Sequence, residues 1–136
     1  MSKRGYFFRG SFYPESCAEV KLMLDKFNTI LEEVMGEQIK EIDTLYPKAL
    51  IVPHAGYVYS GFTANVAYRA LGKNDKIKKV LIIGPSHRHY FEGISLCEYD
   101  EYDLRNFTLK SAKNLKDEIK TKFNVIFEPN AHKEHS

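Results

Sequence analysis

The sequence has no tryptophan, only two cysteines and no marked excess of charge of either sign. Its 20 lysine and arginine residues nearly balance 18 aspartate and glutamate residues, which leaves a formal net charge of +2 at pH 7. Such a balance lacks the strong positive charge that nucleic-acid binding requires, so we expect no nucleic-acid partner. The charge and composition are those of an ordinary globular protein.

Long hydrophobic runs are also missing. The longest apolar stretches are far shorter than the roughly 20 residues that cross a bilayer. The amino-terminal "MSKRGYFF" lacks the apolar core of a signal peptide. We therefore expect a cytoplasmic protein without a membrane partner. Cys17 and Cys97 have neither metal-knuckle nor redox spacing, and each falls in a predicted helix or strand, so both are interpreted as core residues.

Helix and strand patterns alternate along the chain. Helices are predicted where apolar residues recur every three or four positions, and strands where apolar runs are short and uninterrupted. The predicted helices are Ser16 to Gly36, Ser60 to Leu71 and Thr108 to Lys122, and the predicted strands are Ala49–Val52, Val80–Ile83, Ile94–Glu98 and Asn124–Phe127. The first helix opens with a capping box formed by Ser16 and Glu19, and Ser60 is the predicted N-cap of the second.

This order indicates an α/β fold with a predominantly parallel sheet and flanking helices. The segment from Ala49 to Ile83 is predicted to form a right-handed βαβ unit. The chain ends on the polar loop "EPNAHKEHS". We therefore expect residues 1–136 to be the amino-terminal part of a single, longer α/β domain.

Two histidines follow the two predicted strands of this unit. His54 lies two residues after the first strand, and His87 lies four residues after the second. Because ligands bind at the carboxyl ends of parallel strands, both imidazoles are predicted to reach the same edge of the sheet. Two neutral imidazoles are the beginning of a metal site, although a protein-held metal usually needs a third protein ligand. The alternative is that each histidine only forms hydrogen bonds at the end of its strand.

The residues around these histidines are consistent with a site. Gly56 and Gly61 allow tight turns or close approach to a ligand. The substrate-binding candidates are Tyr57, Tyr59 and Ser86. His89 is interpreted as an exposed neighbour rather than a ligand. Ser86 beside His87 does not predict a hydrolase, because adjacent residues rarely form a nucleophile and base pair.

Four short motifs carry a family resemblance. They are "GSFYP" (Gly10–Pro14), "PHAGYVYSG" (Pro53–Gly61), "GPSH" (Gly84–His87) and "EHS" (Glu134–Ser136). In this order they resemble the Memo family, also called the AmmeMemoRadiSam system protein B family. The stretch "YDEYDLRNF" departs from the family pattern.

The resemblance implies a fold similar to that of class III extradiol dioxygenases, which are non-haem iron oxidoreductases. It implies that His54 and His87 are metal ligands, and that His135 lies near the same pocket. From that position we expect His135 to orient the substrate or to shuttle a proton as an acid or base. The implied metal is Fe(II), with copper and zinc as alternatives. The family's remaining ligand, a cysteine, has no counterpart among the residues of this chain.

Two functions are compatible with these motifs. One is a metal-dependent oxidoreductase, similar to a dioxygenase, acting on a small anionic or phenolic substrate. The other is a non-catalytic module that binds phosphorylated or anionic peptides in the same cleft. A phosphate site is expected to contain arginine, and only Arg88 lies near the second histidine motif, which favours the metal site. A site that has lost its activity, and any oligomeric state, remain compatible with the sequence.

Overall fold

The computed structural model describes residues 1–72, 74–104 and 106–135. It divides the chain into two compact units. The helical unit is Arg9–Val80, and the sheet unit combines Met1–Phe8 with Leu81–Ser136. Across the described ranges, no helix has both the length and the apolar character that are needed to cross a membrane.

The helical unit contains three α-helices, which are α1 (Cys17–Met35), α2 (Glu37–Asp43) and α3 (Phe62–Gly72). The predicted capping box is present at the start of α1. The Glu19 backbone N–H donates to Ser16 Oγ over 3.1 Å, and the Ser16 N–H donates to Glu19 Oε2 over 3.0 Å. Gly36 ends the helix at a φ of 50°, a conformation that glycine adopts with little strain. The predicted bounds of α1 are therefore confirmed.

Apolar packing and one arginine hold the three helices together. Leu31 of α1 is 1% exposed, and Ile39 of α2 and Ala70 of α3 are also buried. The Arg69 guanidinium of α3 donates two hydrogen bonds to the Asp43 carboxylate, of 3.2 and 2.9 Å. It also donates to Glu32 Oε1 of α1 over 3.1 Å. A single side chain thus ties α3 to both of the other helices.

The entry to α3 differs from the prediction. Residues Tyr57–Gly61 form a π-helical turn, and Ser60 lies inside it. Its hydroxyl donates to the Ala55 carbonyl over 3.0 Å, so the prediction that Ser60 is the N-cap is wrong. A Cβ on Gly61 would lie 3.0 Å from Phe27 Cε2, so a larger residue here would require the Phe27 ring to shift. The close approach predicted for Gly61 is therefore to the protein's own aromatic ring.

The sheet unit contains five short strands and one helix. They are β1 (Lys3–Arg4), β2 (Ile94–Ser95), β3 (Glu101–Asp103), β4 (Thr108–Lys110), α4 (Lys113–Lys122) and β5 (Val125–Ile126). One sheet has the order β1-β3-β4, with β1 parallel and β4 antiparallel to β3. The other is the parallel pair of β2 and β5. A 3₁₀ turn, Pro129–His132, follows β5.

The chain is a mixed α/β structure, as predicted, but the sheets are smaller than expected. The predicted strands Ala49–Val52 and Val80–Ile83 belong to no ladder. The side chains of Ile51 and Ile83 are almost fully exposed. Apolar, β-branched sequence favours an extended backbone, but a strand also needs a partner. The predicted parallel βαβ unit is therefore not formed among the described residues.

The remaining predictions are confirmed in part. The predicted strands Ile94–Glu98 and Asn124–Phe127 are present as β2 and β5. The helix predicted from Thr108 begins only at Lys113, because Thr108–Lys110 pairs with β3, Leu109 lying opposite Tyr102. Both cysteines are thiols of intermediate burial rather than fully buried core residues.

Candidate metal centre

His87 and His135 lie together in the sheet unit. Both belong to connections rather than to regular elements, His135 following the 3₁₀ turn by three residues. Their rings are stacked, with centroids 4.5 Å apart and planes inclined by 28°. Candidate ligand nitrogens of the two rings lie within 4.8 Å of one another. Within the sheet unit, the structure thus brings together two histidines that the sequence marked.

Glu134 contacts both histidines. Its Oε1 accepts the backbone N–H of His87 over 2.6 Å and that of Arg88 over 3.2 Å. Its Oε2 lies 3.0 Å from His87 Nδ1 and 3.3 Å from His135 Nδ1, and also accepts the His135 backbone N–H. The side chain is only 6% exposed. A buried carboxylate is therefore the centre of this cluster.

The environment keeps Glu134 ionised. Burial by itself raises the pKa of this carboxyl group, because it penalises the charged form. The hydrogen bonds from the ring and backbone of His87 and from the backbone of His135 outweigh that effect. The pKa of Glu134 consequently falls below its usual value. Sequence reasoning treated Glu134 as part of a polar loop and missed it; the only signal was its position next to His135.

Arg4 of β1 fixes the segment that carries Glu134. Its Nε donates to the His132 carbonyl over 2.8 Å, and its Nη2 donates to the Glu134 carbonyl over 3.2 Å. Phe8 packs edge-on against the His135 ring, with centroids 5.7 Å apart. The guanidinium of Arg88 lies 4.8 Å from the centroid of the same Phe8 ring. Arg88 therefore takes part in a cation–π contact beside the histidines.

Two further histidines have partners outside this cluster. His89 is half-buried rather than exposed as predicted, and its Nε2 lies 3.4 Å from Glu128 Oε1. His132 Nε2 lies 2.8 Å from the Ser95 hydroxyl, which also accepts the Glu128 backbone N–H. Burial, with a smaller effect of Arg4, lowers the pKa of His132. These contacts join β2 to the 3₁₀ turn, and they explain His132 as a structural residue.

Three other predicted site residues, His54, Tyr57 and Tyr59, belong to the helical unit. His54 is exposed. The Tyr57 backbone N–H donates to the Phe12 carbonyl over 2.7 Å, which connects the "PHAGYVYSG" and "GSFYP" motifs. Burial raises the pKa of the Tyr57 hydroxyl, with a smaller contribution from Tyr68. The Tyr59 side chain is 87% exposed.

The turn that carries His87 uses the hydroxyl of Ser86. This hydroxyl donates to the His89 carbonyl over 2.7 Å. It can therefore offer only an acceptor lone pair to a substrate. Ser136, the last residue of the "EHS" motif, lies outside the described residues.

The donor set fits a divalent transition metal. An ionised carboxylate only accepts hydrogen bonds, so Glu134 Oε2 requires a proton on His87 Nδ1. In the neutral ring this leaves the lone pair on His87 Nε2, the form of histidine that binds metals. Imidazoles suit iron, copper and zinc, so the residues do not discriminate among these metals.

Comparison with known proteins identifies a family for this chain. The family profile described as "Memo-like protein" matches residues 4–136. A MEMO1 family protein of Pyrococcus horikoshii is 32% identical over 129 residues, which cover 93% of this chain and 42% of the relative. One from Aquifex aeolicus is 34% identical over 94 residues, covering 69% of this chain and 31% of the relative.

A third relative, a MEMO1 family protein of Thermoplasma volcanium, is 39% identical over 79 residues, or 58% of this chain and 26% of the relative. The chain thus spans less than half the length of these relatives. No solved structure matches the chain significantly.

Proposed function

The chain belongs to the Memo-like protein family, and on that premise we propose that His54 and His87 hold a divalent metal ion in an oxidoreductase site. The observation that carries the proposal is the buried Glu134 carboxylate in contact with His87 and His135. Fe(II) is the proposed metal, with copper and zinc as alternatives. The proposed substrate is a small anionic or phenolic molecule.

The position of Glu134 favours a cation over a phosphate. Consecutive backbone N–H groups can form a site for anions. Here the N–H groups of His87 and Arg88 already donate to the Glu134 carboxylate. An incoming phosphate would meet a negative charge of its own sign, whereas a metal ion would be attracted to it. The Arg88 guanidinium, the predicted phosphate partner, lies on the Phe8 ring. These contacts support the metal site against the phosphopeptide module.

The two proposed ligands, His87 and His54, are supported by different kinds of observation. His87 is proposed from its geometry, since Glu134 directs the lone pair to Nε2. His54 is proposed from its place in the "PHAGYVYSG" motif, and its exposed imidazole is compatible with that role. A third protein ligand is proposed to come from outside the residues of this chain, in line with the cysteine that the family resemblance implies.

His135 is proposed as the acid or base of the reaction. Its Nδ1 lies 3.3 Å from Glu134 Oε2, so Nε2 is the nitrogen that would exchange a proton with the substrate. The nearby carboxylate would stabilise the protonated ring after the transfer. A bound Fe(II) would supply open coordination positions and redox chemistry. Tyr57, Tyr59 and Ser86 remain the proposed substrate contacts.

Metal binding by histidine variants tests this function. We expect the wild-type chain to bind Fe(II) weakly in anaerobic equilibrium dialysis, because two histidines leave the ligand set incomplete. Binding should fall by at least about tenfold in His54→Ala and His87→Ala, because losing a direct ligand costs at least as much affinity as losing an outer partner. His89→Ala is the matched control, since its ring contacts Glu128 and lies outside the cluster. It should bind Fe(II) like the wild type. No binding by the wild type, or equal binding by all four proteins, would contradict the metal site.

Oxygen consumption separates the enzyme from the binding module. We would measure oxygen consumption with catechol as the substrate, for the Fe(II)-loaded wild type and for Fe(II)-loaded His135→Ala. Loss of oxygen consumption in His135→Ala, with Fe(II) binding retained, would support the acid or base role. Metal-independent binding of a phosphotyrosine peptide, without oxygen consumption, would instead favour the binding module.

A further inference from the structure

We propose that Glu134 is a positioning residue, which fixes the ring of His87 in one tautomer and one orientation so that Nε2 faces the ligand. The inference rests on the proposed function only for the nature of that ligand, a divalent metal ion. The contact itself is a property of the metal-free chain.

One side chain holds His87 at two points. Glu134 Oε1 accepts the His87 backbone N–H, at 2.6 Å, while Oε2 lies 3.0 Å from Nδ1 of the same residue. Because the carboxylate is bound to both the main chain and the ring, rotation of the ring about its side-chain bonds would break a charge-assisted hydrogen bond. Both the tautomer and the rotamer of His87 are therefore set by Glu134.

The carboxylate is itself well fixed. The backbone carbonyl of Glu134 accepts a hydrogen bond from Arg4 Nη2, and Arg4 Nε donates to the backbone carbonyl of His132, two residues earlier. The side chain is 6% exposed, so burying its charge carries a desolvation cost that only its hydrogen bonds offset. A surface position would not carry this cost. The arrangement is that of the outer carboxylates that orient histidine ligands.

The effect on metal binding follows from this contact. A carboxylate that accepts the Nδ1 proton makes the opposite nitrogen a stronger ligand and removes the need to reorient the ring. Loss of such a partner typically lowers metal affinity by about 10- to 100-fold. We expect a decrease of that size in Glu134→Gln. The carboxamide has one acceptor oxygen, so its NH₂ group would oppose at least one of the N–H donors.

The direct test is the tautomer of His87 in the metal-free protein. Long-range ¹H–¹⁵N NMR spectra distinguish Nδ1–H from Nε2–H rings. We expect His87 of the wild type to be protonated on Nδ1, and the Nε2–H form to become populated in Glu134→Gln. Glu128→Gln is the matched control, because its carboxylate faces His89 instead. It should leave the His87 signals unchanged.

Zn²⁺ affinity, measured by calorimetry on the same proteins, separates the two proposals. Absence of Zn²⁺ binding in the wild type would count against the metal site, and the NMR result would still decide the role of Glu134. An Nε2–H ring of His87 in the wild type, or an unchanged tautomer in a folded Glu134→Gln, would overturn the inference. If Glu134→Gln does not fold, the wild-type tautomer alone decides between these outcomes.

Discussion

Replacement of Leu31 by alanine is expected to lower the free energy of unfolding by about 3 kcal/mol. Leu31 is 1% exposed, and it is the largest side chain that is fully buried in the described part of the chain. The substitution removes buried methyl groups and leaves a cavity that the surrounding helices fill only in part. Urea denaturation followed by circular dichroism would give the difference, provided that the slope of the transition is unchanged.

Leu22→Ala is the control, because it makes the same chemical change in the same helix. The Leu22 side chain is 70% exposed, so its loss should change the free energy of unfolding by no more than about 0.5 kcal/mol. Equal effects of the two substitutions would contradict the assignment of Leu31 to the core of the helical unit.

Replacement of Arg69 by methionine is expected to lower the free energy of unfolding by about 2 kcal/mol. The guanidinium is 13% exposed and donates two hydrogen bonds to Asp43, which is 22% exposed. Without Arg69 this carboxylate would remain partly buried without its main partner, which is the costly consequence of breaking an ion pair. The decrease in the free energy of unfolding should be below the roughly 3–5 kcal/mol typical of fully buried pairs. The second carboxylate partner, Glu32, is 61% exposed, so water can solvate it when Arg69 is removed.

Lys21→Met provides the matched control for the loss of a cation. Lys21 pairs with Asp25 on the exposed surface of α1, and both side chains are more than half exposed. Such pairs contribute at most about 0.5 kcal/mol. Thermal and urea unfolding of both variants would give the comparison. If Lys21→Met lowered the free energy of unfolding as much as Arg69→Met, Arg69 would not connect the helices as described.

The features that sequence reasoning predicted correctly are local ones. The capping box of Ser16 and Glu19 and the stop at Gly36 depend on residues within one helical turn of each other. These residues fix the ends of α1 without reference to the rest of the chain. The same reasoning failed for Ser60, because a π-helical turn precedes α3 and the Ser60 hydroxyl donates to the Ala55 carbonyl instead of capping the helix.

The strands were less predictable because pairing is not local. Apolar runs such as Val80–Ile83 predict strands, yet this segment belongs to neither sheet. Conversely, Thr108–Lys110 continues a helical pattern in sequence but pairs with β3. A periodic pattern identifies which face of a segment is apolar. It does not identify the partner that completes a ladder.

Sequence reasoning identified the histidines of the candidate site, but not the glutamate that contacts them. His87 followed from its place after an apolar run, and His135 from the family motif. Glu134 was missed because an acidic residue in a polar loop is normally exposed. Only the folded chain shows that its carboxylate reaches the backbone of His87, which is 47 positions away in sequence. Long-range polar contacts of this kind leave no periodic signal in a sequence.

We propose that imidazole nitrogens of this chain bind a divalent metal ion. X-ray absorption spectroscopy of the Zn²⁺-loaded chain tests it most directly, because imidazole rings give a recognisable outer-shell scattering pattern. We expect a first shell that contains nitrogen ligands from His54 and His87. We also expect the loss of one imidazole in each single alanine variant and no loss in His89→Ala. A shell of oxygen ligands only, or a spectrum unchanged by His54→Ala and His87→Ala, would contradict it.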